Sequence, residues 1–207
     1  MALHCPARLF VARHGDAEYS GAARVMSDEG GRLSPRGHAQ VEALADSLRD
    51  ENLAAVASST LSRAVESAEV AARRLDLPHS RLPGLDEIGV GECAGRPYGD
   101  TCYRGPYDRW TAGDLEARVP GGEDGHEVLA RFRDSLEELA DTHRGESVLV
   151  FTHGSIMALA VLALTDSVPH GARSARYLPN ARPALIEADS DGLRLITWPG
   201  AVDQSVV

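Results

Sequence analysis

The 207-residue sequence contains no lysine, and all 21 of its basic residues are arginine. Without lysine the chain cannot form a Schiff base, anchor pyridoxal phosphate or supply the lysine of a nucleotide-binding P-loop. The formal net charge is -10 at pH 7, which argues against nucleic acid as a partner because such binding needs a concentrated basic face. An anionic substrate would have to be attracted by a local cluster of arginines.

Cysteine and long apolar segments are also scarce. The three cysteines, Cys5, Cys93 and Cys102, are scattered and odd in number, so we expect free thiols and neither a disulfide framework nor a zinc site. No apolar run reaches transmembrane length, and the N-terminus lacks the basic stretch and apolar core of a signal peptide. These features predict a cytoplasmic protein with no membrane contact, built as a single α/β domain over residues 1–207.

An apolar run over residues 9–12 ends abruptly at Arg13, His14 and Gly15. Four consecutive apolar residues indicate a strand buried on both faces, as in parallel sheets. Open α/β sheets bind ligands at the carboxyl ends of their strands, and Gly15 would let the backbone turn and an anion approach closely. The pattern places His14 and the permanent cation Arg13 at the mouth of a crevice. The alternative is an ordinary strand end with two solvated polar residues.

A second strand-like run, over residues 53–59, precedes an alanine-rich helix that is predicted to extend to about Leu75. Arg63 lies in the first turn of this helix, where unpaired N–H groups and the guanidinium fork can bind an anion together. The helix dipole mildly disfavours a cation at this end. A bound anion therefore explains Arg63 better than a plain surface position does.

Three acidic residues, Asp86, Glu87 and Glu92, follow in a loop that contains two glycines. Phosphate transfer needs a proton donor for the leaving oxygen, and a carboxyl group near phosphate oxygens can have its pKa raised into that role. Spacing does not choose among the three acids. Each one, taken alone, is equally consistent with a solvated surface acid.

An irregular stretch over about 95–120 is rich in aromatic residues that alternate with arginines. Its aromatic residues include Tyr98, and its candidate contacts are Tyr103, Arg104, Tyr107 and Trp110. This composition is typical of a lid that contacts an organic group and an anion together. A helical excursion that closes its own small core is an alternative of comparable weight.

The segment 147–154 repeats the opening pattern, since an apolar strand ends at His153 and Gly154. The residues that follow, 155–164, are apolar nearly all round and predict a buried helix whose N-terminus points at His153. Such an N-terminus favours bound phosphate, so Gly154 is a candidate substrate-binding residue.

The remaining segments complete the predicted order. A polar stretch up to Arg32 reads as a loop over the crevice, and a helix begins after the N-cap Ser34 and extends to about Asp50. Two C-terminal strands are predicted over 183–188 and 193–198. Their apolar residues could supply an edge for a homodimer, although a monomer is equally compatible with the sequence.

Five motifs in order resemble the histidine phosphatase superfamily, whose best-known branch contains the cofactor-dependent phosphoglycerate mutases. The motifs are Arg13-His14-Gly15, 58–64, Leu85-Asp86-Glu87, 120–123 and 152–154. The resemblance covers the chain from Leu9 to about Glu187. It implies a three-layer α/β/α sandwich with a mostly parallel central sheet and an irregular lid insertion over about 95–120.

The resemblance also implies roles for five residues. His14 would be the nucleophile that becomes a phosphohistidine, which requires a neutral imidazole. Arg13, Arg63 and His153 would hold the equatorial oxygens of the phosphoryl group without a metal or another cofactor. Glu87, which spacing alone did not select, would protonate the leaving alcohol and then deprotonate the attacking water.

Two departures from the mutases favour a phosphatase acting on a small organic phosphomonoester. Ser20 stands where mutases usually have asparagine, so this candidate phosphate contact is weakened or lost, and the chain is shorter and lacks the lysine that helps mutases bind a carboxylate. Mutase-type phosphoryl transfer is one alternative. Short bacterial phosphohistidine phosphatases are another, but they lack the segment that carries Glu87 and the lid. A non-catalytic phosphate-binding module is the least favoured interpretation.

Overall fold

A computed structural model describes residues 5–18, 30–97, 99–165 and 178–199 of the chain. The strands in these ranges are β1 (Ala7–Arg13), β2 (Ala17–Glu18), β3 (Arg32–Leu33), β4 (Leu53–Ser58), β5 (His79–Arg81), β6 (Ser147–Thr152), β7 (Pro183–Asp189) and β8 (Gly192–Thr197). The helices are α1 (Pro35–Ser47), α2 (Ser62–Leu75), α3 (Thr101–Thr111), α4 (Gly125–Thr142) and α5, which begins as Gly154–Ile156, continues as a π-helical turn over Met157–Val161 and ends with Leu162–Leu164.

Six strands form the central sheet in the order β5-β4-β6-β1-β7-β8. The three pairs among β5, β4, β6 and β1 are parallel, whereas β7 pairs antiparallel with both β1 and β8. The register places Arg13 beside Thr152 and Ser58 beside Phe151. The carboxyl ends of β4, β6 and β1 therefore meet at one edge of the sheet, and the predicted mostly parallel sheet is confirmed.

Apolar side chains of the sheet point alternately to two helical layers. Leu9 and Val11 of β1 belong to a core cluster with residues of α4 and α5, whereas Phe10 and Ala12 join a cluster with residues of α1 and α2. The predicted three-layer α/β/α sandwich is confirmed. Strand β1 reads as one continuous apolar run because both of its faces are covered.

Two of the helices begin at the caps that their sequences favour. The side chain of Ser34 accepts a hydrogen bond from the Gly37 N–H at 3.0 Å, so the predicted N-cap of α1 is confirmed. Helix α4 begins with a capping box, in which Asp124 and Glu127 each accept a hydrogen bond from the other's backbone N–H. These caps define where each helix begins against the sheet.

The insertion over 95–120 contains the helix α3. Asp100 caps it by accepting a hydrogen bond from the Cys102 N–H at 2.8 Å. Cys102 forms a disulfide with Cys93, so the prediction of three free thiols is wrong for this pair and holds for the exposed Cys5. The two cysteines stand nine positions apart, but the turn before α3 brings their Cα atoms within 5.7 Å.

The two predicted C-terminal strands are confirmed as β7 and β8, which pair antiparallel as a hairpin with β8 at one edge of the sheet. The segment between Gly15 and Arg32 is described only at its ends, where β2 and β3 pair antiparallel; its middle, including Ser20, lies outside the described residues. Within the described ranges, no helix is both long and apolar enough to cross a membrane.

Candidate active site

Four of the predicted catalytic side chains meet at the carboxyl edge of the sheet. Arg13 ends β1, His14 follows it directly, and His153 follows β6 on the neighbouring strand. The imidazole centroids of His14 and His153 are 5.3 Å apart. Arg63, in the first turn of α2, places its Nε 3.2 Å from Nε2 of His14. Residues distant in sequence thus converge because three parallel strands end side by side.

The hydrogen bonds of His14 define its tautomer. Its Nδ1 lies 2.7 Å from the carbonyl oxygen of Gly15, which can only accept, so Nδ1 carries the proton. Nε2 keeps its lone pair and accepts the N–H of Arg63. Burial first, and then the charges of Arg13 and Arg63, lower the pKa of His14 from 6.5 to about 3. The ring is therefore neutral near pH 7, with its lone pair directed into the site.

Gly15 is required by packing against α1. A Cβ at this position would lie 2.7 Å from the carbonyl oxygen of Gly37, closer than side-chain carbons come to backbone oxygen. The Gly15 N–H donates to Ser67 Oγ at 3.0 Å. Sequence reasoning attributed this glycine to a sharp turn and an approaching anion, whereas in the structure a helix backbone makes the close approach.

Arg63 is a buried cation with no carboxylate partner among the described residues. Its side chain is only slightly exposed, and its Nη1 donates to the carbonyl oxygen of Gly30 at 3.1 Å. A buried charge is costly unless it is paired or well hydrogen-bonded. The site therefore favours an anion beside Arg63.

Arg13 is held by a C-terminal segment that sequence reasoning missed. Its Nη1 donates to the carbonyl oxygen of Leu178 at 2.9 Å, and its own carbonyl oxygen accepts the Ala181 N–H at 2.9 Å. Asn180 donates from Nδ2 to the carbonyl oxygen of His14 at 2.8 Å. The guanidinium passes beside Gly154, where a Cβ would lie 3.5 Å from Nε of Arg13.

His153 is completely buried, and its two ring nitrogens have different surroundings. Nε2 lies 2.7 Å from Oγ of Ser59. Nδ1 has no hydrogen-bond partner within the described part of the chain. Burial, followed by the charge of Arg63, lowers the pKa of His153 well below 6.5, so this ring is also neutral.

Of the three candidate acids, Glu87 is the one that contacts the helix after His153. Its Oε2 accepts the Ser155 N–H at 3.0 Å, and its Oε1 accepts the N–H groups of Ile156 at 2.8 Å and Ile88 at 3.0 Å. Asp86 instead accepts the N–H and hydroxyl of Thr60, and Glu92 is exposed. The N-terminus of α5 thus holds a carboxylate directly after His153.

Arg131 of α4 holds the loop that carries Glu87, and sequence reasoning did not select it. Its guanidinium donates to the carbonyl oxygens of Gly84, Asp86 and Glu87 at 2.9, 2.8 and 3.3 Å. It also pairs with both carboxylate oxygens of Glu123, at 2.6 and 3.0 Å. The amphipathic pattern of α4 located the helix but gave no sign that one of its arginines reaches this loop.

The aromatic residues of α3 occupy different environments. The Tyr107 hydroxyl donates to the carbonyl oxygen of Ser155 at 3.2 Å, and its ring stacks on Tyr103 with centroids 6.2 Å apart. Trp110 is buried, and its indole N–H donates to the carbonyl oxygen of Ala117 at 2.6 Å. Arg104 is exposed and pairs with Asp108. Tyr107 adjoins α5 and Tyr103 stacks on Tyr107, while Trp110 packs in the core and Tyr98 lies outside the described residues.

The fold and the paired histidines define an α/β protein of the phosphatase type, with its site at the carboxyl edge of the sheet. Residues 9–199 match the histidine phosphatase superfamily (branch 1), and the chain belongs to this family. Within the described residues, no three His, Cys, Asp or Glu side chains are grouped so as to hold a metal ion.

Similar proteins include curated relatives and a solved structure. The chain is 30% identical to a metal-independent phosphoserine phosphatase of Arabidopsis thaliana over 195 residues, which are 92% of this chain and 80% of that protein. It is 32% identical over 201 residues to a bifunctional protein of Mycobacterium tuberculosis, of which it spans 55%. The structure of a mycobacterial glucosyl-3-phosphoglycerate phosphatase superimposes with a TM-score of 0.75 at 25% identity, over 94% of this chain and 99% of that one.

Proposed function

We propose that the protein is a metal-independent phosphatase that hydrolyses a small organic phosphomonoester through a phosphohistidine intermediate. The observation that carries the proposal is the state of His14, whose neutral ring directs the Nε2 lone pair toward the buried Arg63, a cation with no carboxylate partner among the described residues. A nucleophile beside an uncompensated cation suits an anionic electrophile such as a phosphoryl group.

The first step forms the phosphoenzyme. Nε2 of His14 attacks phosphorus in line, the new N–P bond forms, and the bond from phosphorus to the ester oxygen breaks. Arg13, Arg63 and His153 stabilise the charge on the equatorial oxygens. Glu87 delivers a proton to the leaving alcohol, and its Oε2, which accepts a single hydrogen bond among the described residues, retains a position for that proton.

The second step returns the enzyme to its starting state. Water attacks phosphorus and gives a proton to the carboxylate of Glu87, while the N–P bond breaks and its electron pair returns to Nε2 of His14. Inorganic phosphate leaves, and Glu87 is protonated for the next cycle. The site needs no group other than the chain's own residues for either step.

Phosphoserine is the first substrate to test. The Arabidopsis relative carries the name of a phosphoserine phosphatase, and its alignment spans most of both chains. The stacked Tyr103 and Tyr107 beside α5 offer an apolar and hydroxyl-bearing surface for the organic part of a small ester.

The test is phosphate release from phosphoserine, 3-phosphoglycerate, p-nitrophenyl phosphate and a phosphohistidine peptide, with EDTA present throughout. We expect EDTA-resistant turnover of at least one monoester, and an acid-labile phosphoenzyme that is absent in His14→Ala. Turnover that survives in His14→Ala would overturn the mechanism. Turnover of the phosphohistidine peptide alone would overturn the substrate class.

A further inference from the structure

A buried serine lies within hydrogen-bond distance of one ring nitrogen of the second histidine. Ser59 and His153 are both fully buried, and Ser59 Oγ lies 2.7 Å from Nε2 of His153. Ser59 Oγ also accepts the Leu61 N–H at 3.2 Å. Within the described ranges this hydroxyl makes no other hydrogen bond, so these two contacts decide where its proton points.

The direction of each of these two hydrogen bonds follows from which groups can donate and which can accept. The Leu61 N–H can only donate, so the Ser59 hydroxyl proton has one acceptor among the described residues, the Nε2 atom of His153. Because His153 is neutral, accepting at Nε2 leaves its one ring proton on Nδ1. Nδ1 is the buried atom that has no partner in the described part of the chain.

We propose that Ser59 is a positioning residue that holds His153 as the Nδ1–H tautomer, so that this N–H donates to an oxygen of the bound phosphoryl group. The role in catalysis rests on the proposed function, whereas the tautomer itself is a property of the resting protein. The opposite tautomer would present a lone pair at Nδ1, which repels an anion. A buried donor without a partner is unfavourable until an acceptor arrives, so phosphate binding would satisfy it.

Ser59 belongs to the same motif as Arg63, residues 58–64, but the two side chains contact different histidines. Arg63 faces His14, whereas Ser59 faces His153, 94 positions away in sequence. Ser58, its neighbour, is also fully buried; its Oγ donates to the carbonyl oxygen of Ser59 at 2.7 Å and lies 2.9 Å from Nε2 of His79, and it contacts neither site histidine. Ser58 therefore supplies a matched control for the loss of one buried hydroxyl.

The direct test is nitrogen NMR of the protein labelled with ¹⁵N-histidine, in which the shifts of Nδ1 and Nε2 report the tautomer. The His153 signals among the eight histidines are assigned by their loss in His153→Asn. We expect the Nδ1–H form in the wild type and in Ser58→Ala, and a shift toward Nε2–H or a mixture in Ser59→Ala. A wild-type ring protonated at Nε2 would overturn the proposal.

Binding of orthovanadate, followed by calorimetry, tests the consequence without requiring turnover. Loss of a well-placed donor predicts about tenfold weaker binding in Ser59→Ala, unchanged binding in Ser58→Ala, and recovery in Ser59→Thr, which keeps the hydroxyl. Equal vanadate affinity in Ser59→Ala and the wild type would overturn the positioning role. If these results hold while no phosphomonoester is hydrolysed, the proposed function fails and the tautomer assignment stands.

Discussion

The ends of β1 and β6 look alike in sequence, but the structure gives their histidines different hydrogen-bond partners. His14 and His153 each follow an apolar strand and precede a glycine. The carbonyl oxygen of Gly15 holds the proton of His14 on Nδ1 and leaves a lone pair at Nε2. Ser59 contacts Nε2 of His153, and Nδ1 of that ring has no partner among the described residues. Under the proposed function, the same local motif would therefore supply a nucleophile at one strand end and a donor at the other, according to one neighbouring oxygen.

Substituting each histidine is the strongest way to break this comparison. A nucleophile cannot be replaced, so His14→Ala should lower kcat by at least about 10⁴-fold. A donor to the phosphoryl group contributes less, so His153→Ala should lower kcat by about 10²- to 10³-fold. Steady-state rates with the best monoester check both values. Equal losses, with phosphoenzyme still trapped in His14→Ala, would contradict the division of tasks.

The role of the loop that carries Glu87 can be tested by varying the leaving group of the substrate. Glu87→Gln removes the proton donor, and Arg131→Gln releases the loop that holds Glu87. Both substitutions should slow the hydrolysis of alkyl phosphates, by about 10²-fold or more for Glu87→Gln and by less for Arg131→Gln. Both should affect p-nitrophenyl phosphate far less, because its leaving group needs little protonation. Arg133→Gln, an exposed change on the same helix, is the control.

Removing the disulfide tests whether the residues that follow β6 depend on the insertion more than the residues that follow β1 do. Replacing Cys93 and Cys102 by serine removes a short cross-link and should lower the free energy of unfolding by about 2–3 kcal/mol. Because Tyr107 joins α3 to Ser155, vanadate affinity should fall modestly while trapping of the phosphoenzyme persists. Urea unfolding measures the first effect, and Cys5→Ser should leave it unchanged because Cys5 is exposed and free.

A further expected effect is on stability as the pH falls. The folded state lowers the pKa of His14 to about 3 and that of His153 well below 6.5. Between about pH 6.5 and 5 the unfolded chain therefore binds more protons than the folded one, so the free energy of unfolding decreases as pH falls. Each histidine contributes about 1.4 kcal/mol per pH unit once its unfolded form is protonated.

Urea unfolding at pH 6.5 and pH 5 measures this dependence. His14→Asn should lose about half of the histidine contribution to the slope, since one of the two buried rings is removed. An unchanged slope in His14→Asn would show that the ring is not held neutral by the fold.

Much of the fold and the candidate site follows from local patterns. The apolar runs before Arg13 and His153 predicted buried parallel strands, and Ser34 predicted the start of α1. Parallel strands bring their carboxyl ends to one edge, so residues at those ends could be expected to meet. The choice of Glu87 came from resemblance, and its contact with the N-terminus of α5 gives that choice a geometric basis.

By itself, the sequence determined the strand and helix order and the side chains at the edge of the sheet, because periodicity, caps and strand ends are local properties, whereas the three-layer class came from the resemblance to a known family. Only the tertiary structure decided the tautomers of the two histidines, the hydrogen bonds from Arg131 to the loop that carries Glu87, and the Cys93–Cys102 disulfide. These depend on atoms brought within hydrogen-bonding or covalent distance by packing, often from remote positions, as with Ser59 and His153. A local pattern of residues along the chain does not specify such distances.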